Sequence, residues 1–171
     1  MPKVISTLAE AKSRVKQLLS DTNQRVILGI VGKPGAGKST LSEELLEYFG
    51  SANSVIVPMD GFHLSNLQLD KLNRRNRKGA IDTFDANGYV SLIKRIKNDQ
   101  NSELYFPIFY REIEESYAAA GVISPNHKLV ITEGNYLLNT EGEWAELRNL
   151  LTESWFVDPQ DDLRLSRLIK R

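Results

Sequence analysis

The stretch that most restricts this chain is GKPGAGKST, Gly32 to Thr40. Glycine and proline crowd these nine residues, so neither helix nor strand can run through them. Before it lies RVILGIV, residues 25–31, whose length and β-branched content suit a buried strand. After it, LSEELLEYF continues a helix expected from Lys38 to Phe49, with Gly50 as its stop. The chain must therefore turn sharply from a buried strand into a helix. Gly32, Gly37, Lys38 and Ser39 fit the spacing GxxxxGK[ST]. The chemistry follows from the backbone. Glycines let successive N–H groups converge, and the helix start adds unpaired amides and the positive end of its dipole. An anion cradle results, built from Gly32, Lys33, Pro34, Gly35, Ala36, Gly37, Lys38, Ser39 and Thr40. Lys38 is placed to reach the β- and γ-phosphates of a nucleotide, and the Ser39 hydroxyl to bind Mg²⁺.

The remaining pattern alternates between the two periods. Residues 4–19 space Val4, Leu8, Ala11, Val15, Leu18 and Leu19 as one face of a helix, expected over about 4–20. SVIVPMD (54–60) and KLVITEG (128–134) are short apolar runs that each end in an acid, Asp60 and Glu133. Residues 85–98 fit a helix with Val90, Ile93 and Ile96 inward. LYFPIFY (104–110) reads as extended, with Pro107 marking an edge or an irregular segment. WAELRNLL reads as helix, SWFVD as strand, and DDLRLSRLIKR as a last helix beginning near residue 160. Strands alternating with helices imply an α/β fold: one domain over 1–171, with a mainly parallel sheet flanked by helices in three layers, as in P-loop nucleotide-binding proteins. Ligands of such sheets bind at the carboxyl ends of the strands, where Asp60 and Glu133 both fall.

Composition excludes several classes. Lys+Arg and Asp+Glu are both 22, so a general nucleic-acid binder is not expected. There is no cysteine, which removes disulfides and thiolate metal sites and suits a reducing, cytoplasmic setting. No apolar run approaches the ~18 residues of a membrane span. Glu10, Lys12 and Arg14 interrupt any signal-peptide core.

Beyond the phosphate loop, the segments MDGFHL, KGAIDTFD, VITEGNYLL and DDLRLSRLIKR together resemble the group of P-loop kinases that includes uridine kinase, phosphoribulokinase and bacterial pantothenate kinase. The resemblance runs from about Arg25 to Arg171. It implies ATP-dependent phosphorylation of a hydroxyl on a small metabolite, with ATP and Mg²⁺ as cofactors. By the resemblance Asp60 is the catalytic base, Glu133 and Ser39 contact Mg²⁺, Asp85 lies beside the substrate, and Arg164, Arg167 and Arg171 belong to a lid that closes over the phosphates. Members of that group continue past this helix, so a lid truncated at Arg171 is expected. The chain departs from the Pro-x-Tyr-Asp segment of uridine kinases: PIFYRE places Phe109 and Tyr110 there, with Arg111 next. MDGFHL and KGAIDTFD lean toward the pantothenate kinase side or toward related sugar and nucleoside kinases.

On the residues themselves, Asp60 suits a proton acceptor for an attacking hydroxyl, and His63, three residues on, is a candidate substrate contact. Asp85 suits two roles equally, a hydrogen-bond acceptor for substrate hydroxyls and the cap of the helix that starts at Ala86. Phe106, Phe109, Tyr110 and Tyr117 form an aromatic cluster suited to the core or to a substrate wall. KLNRRNRK (71–78) is either a solvated face or a reader of an anionic substrate. His127 reads as a surface turn. A nucleotide-dependent switch is the rival class, but no guanine-reading NKxD is present and no apolar strand precedes DANG. An inactive ATP-binding module is the other rival, against which Lys38, Asp60 and Glu133 all argue. Oligomeric state stays open, a homo-oligomer included.

Overall fold

A computed structural model describes residues 4–159. The elements run α1 (Leu8–Ser20), β1 (Val26–Val31), α2 (Lys38–Phe49), β2 (Ser54–Pro58), α3 (Asn66–Lys71), α4 (Ala86–Asn98), β3 (Leu104–Tyr110), β4 (Glu115–Ile123), β5 (Leu129–Gly134), α5 (Leu147–Leu150) and β6 (Glu153–Phe156). Four strands form one parallel sheet in the order β2-β5-β1-β6. β1 therefore sits inside the sheet, and all six of its residues are buried. The sequence VILGIV, apolar throughout instead of alternating, reflects burial on both faces. One face packs α1 and α2 through Val15, Leu18, Leu28, Ile30 and Leu45. The other packs α4 and the 3₁₀ turns through Ile27, Val57, Tyr89, Ile93 and Ile96. This is the three-layer α/β arrangement expected.

Local chemistry sets the helix ends. Thr7 and Glu10 form a reciprocal capping box at the start of α1. Arg14 then pairs bidentately with Glu153 and ties α1 to β6. Inside the second face, the Tyr89 hydroxyl donates to Thr132 Oγ1 at 2.5 Å, and Thr132 Oγ1 donates to the Val57 carbonyl at 2.7 Å. This buried chain locks α4, β5 and β2 together one residue before Glu133, and burial pushes the Tyr89 phenol well above its usual range.

At the opposite, amino-terminal edge of the sheet sits Arg25, only 5% exposed. Its guanidinium donates to the carbonyls of Ile96 (3.1 Å), Asp99 (3.1 Å), Ser124 (3.1 Å) and His127 (2.9 Å). Two of these are carbonyls at the end of α4, which the helix itself leaves unpaired. His127 belongs to the same closure: its Nδ1 accepts from Ser124 N, and its Nε2 donates to the Ser51 carbonyl.

The structure departs from the sequence reading in four places. The first helix begins at Leu8 behind its Thr7 cap and not near residue 4, and Val4, read as part of its inward face, is exposed. LYFPIFY is β3 of a separate antiparallel hairpin with β4, a strand not expected from ESYAAAGVI. The register slips at Pro107, which cannot donate to the ladder: Phe106 faces Gly121, while Ile108 faces Tyr117. Ala119, at φ 56°, takes up the surplus residues on β4. WAELRNLL, read as one helix, is a 3₁₀ turn over Gly142–Glu146 followed by the single-turn α5. Asp60 lies in a 3₁₀ turn over Met59–Phe62 that follows β2, one step beyond the strand itself. The expected last helix, with Arg164, Arg167 and Arg171, lies outside the described residues.

Candidate active site

The site is assembled at the carboxyl ends of β1, β2 and β5. After β1 the chain turns through Gly35 (φ 79°) and Gly37 (φ 97°), a backbone that L side chains rarely adopt. Gly32 is required for a different reason. A side chain there would lie 2.8 Å from the Val157 carbonyl, just past β6. Gly37 is the N-cap of α2 and offers no side chain to its first turn, which also carries no acid. The amides of that turn are thus left to an incoming anion.

Lys38 opens α2 and bends back across the loop. Its ammonium donates to the Gly32 carbonyl (2.9 Å), the Lys33 carbonyl (3.3 Å) and Asn135 Oδ1 (2.8 Å). Ala36 is buried beneath the turn. Pro34, Gly35, Gly37, Lys38, Ser39 and Thr40 line the cleft above it. The neighbouring side chains converge on Glu133 at the end of β5. Ser39 Oγ donates to Glu133 Oε1 at 2.9 Å, and Ser42 Oγ to Oε2 at 3.1 Å. Burial holds the Glu133 carboxyl above the ordinary range, against the pull of both hydroxyls and of Lys38. Gly134 is small because Met59 packs against it, where a Cβ would lie 2.7 Å from the Met59 Cβ.

Asp60 lines the same cleft, and the cleft continues past it to Ile108, Phe109 and Arg111 of the β3–β4 hairpin. The hairpin is seated there by close backbone contact: Gly61 packs on Pro107, and a Cβ on Gly61 would lie 2.8 Å from the Pro107 carbonyl carbon and nearer still to its oxygen. His63 does not line the cleft. It buttresses it, with Nδ1 donating to the Asp60 carbonyl at 2.8 Å and the ring between Phe84 (4.0 Å) and Phe109 (4.9 Å). Burial lowers its pKa, so near neutral pH the ring is uncharged in this aromatic stack.

Two other candidates stand apart from the cleft. Asp85, expected beside the substrate, is exposed and caps α4: its carboxylate accepts from Gly88 N at 2.8 Å, the local bond of an N-cap. It lines neither part of the cleft. Tyr110 stacks on Tyr117 at 5.1 Å on the outer side of the hairpin, while Phe106 is buried in the core. A regular strand would put these two, four residues apart, on one face; the register irregularity at Pro107 lies between them and breaks that alternation. The basic stretch 71–78 is largely spent on internal pairs: Arg74 and Arg77 with Asp82, and Arg75 with Asp70. Sequence reasoning missed Asn135, Ser42 and Glu43. Asn135 follows the acid–glycine pair, and Ser42 and Glu43 lie three and four residues after Ser39, one helical turn on, which is the signal that could have found Ser42.

The donor set fits a hard divalent cation. One hydroxyl and one carboxylate are what Mg²⁺ takes from a protein when nucleotide phosphates and water complete its shell. Among the described residues no cluster of three or more His, Cys, Asp or Glu could hold a metal alone. No helix among them is long and apolar enough to cross a membrane.

Comparisons with known proteins agree with this geometry. A sequence model of the phosphoribulokinase / uridine kinase family matches residues 27–171. A protein of Schizosaccharomyces pombe described as "Putative uridine kinase C227.14" is 34% identical, over 98% of this chain and 74% of its own length. A crystal structure described as a "putative fructose transport system kinase" from Silicibacter sp. TM1040 superposes with a TM-score of 0.85 at 31% identity, covering 98% of this chain and 82% of that one. A Saccharomyces cerevisiae crystal structure described as "a putative P-loop containing kinase with a circular permutation" shares the fold at a TM-score of 0.84 and 21% identity, covering 97% of this chain and 86% of that one. With its phosphate loop, its paired acids and this match over most of its length, the chain belongs to the phosphoribulokinase / uridine kinase family.

Proposed function

We propose that the protein transfers the γ-phosphoryl group of ATP to a hydroxyl of a small metabolite, with a nucleoside, a pantothenate-like alcohol or a sugar as the acceptor classes. The observation that carries this reading is the position of Asp60. It lines one cleft both with Lys38 and Ser39 of the phosphate loop and with the Phe109 wall of the hairpin. A carboxylate between a phosphate cradle and an acceptor-sized recess is what in-line transfer needs. In the step, the acceptor oxygen bonds to the γ-phosphorus and the bond from that phosphorus to the bridging oxygen breaks. The acceptor proton passes to Asp60, and ADP leaves. Lys38 exchanges its present carbonyl and Asn135 partners for phosphate oxygens and offsets charge on them. Ser39 and Glu133 are the residues that would hold Mg²⁺. Bound there, the ion would neutralise phosphate charge and fix the triphosphate in line. Phe109 and Ile108 give the recess an apolar wall, and His63 stiffens it from behind.

The test is Asp60→Asn. Turnover with an acceptor found by screening nucleosides, pantothenate and sugars for ADP release should fall by roughly 10²–10⁴, the span of a positioned proton acceptor. The Kd for MgATP should stay within a few-fold. Equal losses in both would make Asp60 a metal ligand instead.

A further inference from the structure

The phosphate cradle faces a second cation that does not come from the phosphate loop. Arg111 follows β3 directly and lines the cleft together with Gly35, Gly37, Lys38 and Ser39, as well as the recess beside Asp60. Its exposed guanidinium has no hydrogen-bond or ion-pair partner among the described residues, in contrast to Arg74, Arg75 and Arg77 nearby. The turn that carries it is held firmly. Asn66 N donates to Glu115 Oε1 at 2.8 Å, and Asn66 Nδ2 to the Glu114 carbonyl at 3.0 Å. Lys78 donates to the same carbonyl and to Asn66 Oδ1 at 2.6 Å, with its ammonium over the Phe109 ring at 5.0 Å. At the other end of β3, the Gly61–Pro107 contact seats the strand against the Asp60 turn. Lys78 is thus spent on structure, whereas the Arg111 fork has no partner among the described residues and stands on an anchored support. The recess beside Asp60 already carries Glu43, Asp60 and Glu133, so the nearest anion able to use Arg111 is the one the loop itself would bind.

Resting on the kinase reading above, we propose that Arg111 binds the terminal phosphate of the nucleoside triphosphate from the hairpin side, as a positioning contact made to the γ-phosphate and not to ADP. The anchored turn brings that cation to the cleft from the hairpin side, and its side chain orders when the anion binds.

Binding of MgADP and of Mg²⁺ with the non-hydrolysable analogue AMP-PNP to the full chain, by titration calorimetry, tests this without any acceptor. Arg111→Ala should leave the MgADP Kd within two- to three-fold and weaken AMP-PNP by about ten- to a hundred-fold, the range of a charge-assisted contact. Arg111→Lys should recover part of the loss, since it restores charge without the fork. Thermal melting of both variants should match the wild type, because no partner within the described residues is lost; were Arg111→Ala to unfold, Arg111→Gln and Arg111→Lys carry the same comparison. An unchanged AMP-PNP to ADP ratio overturns the proposal, including the case where only an acceptor's KM rises, which would make Arg111 an acceptor contact. Equal weakening of both nucleotides overturns it too. Wild-type protein that binds neither nucleotide would instead defeat the kinase reading on which it rests.

Discussion

Gly61→Ala is the most economical way to ask whether the hairpin is part of the site. The added methyl group would lie 2.8 Å from the Pro107 carbonyl carbon and nearer to its oxygen, while real Cβ contacts essentially never fall under 3.0 Å. The obstruction is backbone on both sides, so no side-chain rotation relieves it. Either the 3₁₀ turn carrying Asp60 or β3 must give way by on the order of 1 Å, and overpacking of this kind costs about 1–3 kcal/mol. For a domain of this size each kcal/mol is worth about 2–4 °C, so the melting temperature should drop by about 2–12 °C. The same displacement separates Asp60 from Phe109 and Arg111. A misplacement of about 1 Å can cost on the order of 10² in rate, so turnover should fall further than stability implies, with MgADP binding retained. Differential scanning fluorimetry and an ADP-release assay below the melting range give the two numbers. A variant that melts and turns over like the wild type would refute the idea that this backbone contact sets the width of the cleft.

Glu133→Gln addresses the metal side. Because burial raises the Glu133 pKa in the folded state, the stability it contributes is fully present below the ordinary carboxylate range and is lost as pH rises through the raised value. The melting temperature of Glu133→Gln minus that of wild type should therefore grow between pH 4 and pH 8, while Mg²⁺-dependent nucleotide binding is lost; a pH-independent difference would refute the assignment. Asp85→Ala should lower stability by about 1 kcal/mol, and Asp85→Asn by less, with unchanged kcat/KM for the acceptor. A selective loss of kcat/KM would return Asp85 to the substrate side.

What the sequence showed and what it hid follow the range of the forces involved. The loop, its flanking strand and helix, and the acids just past β2 and at the end of β5 were legible because each is written in a few adjacent residues: glycines where φ is positive, an apolar run, a charge at its end. Helix α2 began and ended where Lys38 and Gly50 suggested, and Val90, Ile93 and Ile96 pack inward as their spacing implies. β4 was not legible, because Ala118, Ala119, Ala120 and Gly121 carry little strand preference and are held by pairing with β3. The aromatic cluster could not be divided between core and cleft without knowing the register around Pro107. Asp85 was balanced between two roles in the sequence; the hydrogen bond to Gly88 gives it the cap. Arg25, a charge beside a buried strand, gave no hint of carbonyls 71 to 102 residues away.

Those four carbonyls give the two ends of the sheet different thermodynamic characters. At the Arg25 end, one buried cation satisfies carbonyls from the end of α4 and from Ser124 and His127 in the β4–β5 connection, so losing either segment leaves that charge short of partners in a buried place. Opening there is expected to cost more than opening at the phosphate loop, and amides around Val26 and Leu129 should be among the slower to exchange. The phosphate-loop end is closed by small, exchangeable contacts: Lys38 on two carbonyls and an amide, Ser39 on Glu133. It can trade them for a ligand without drawing on the global reserve. The fold thus separates the part that must hold from the part that must let go by the length of a strand, β1, that connects the two.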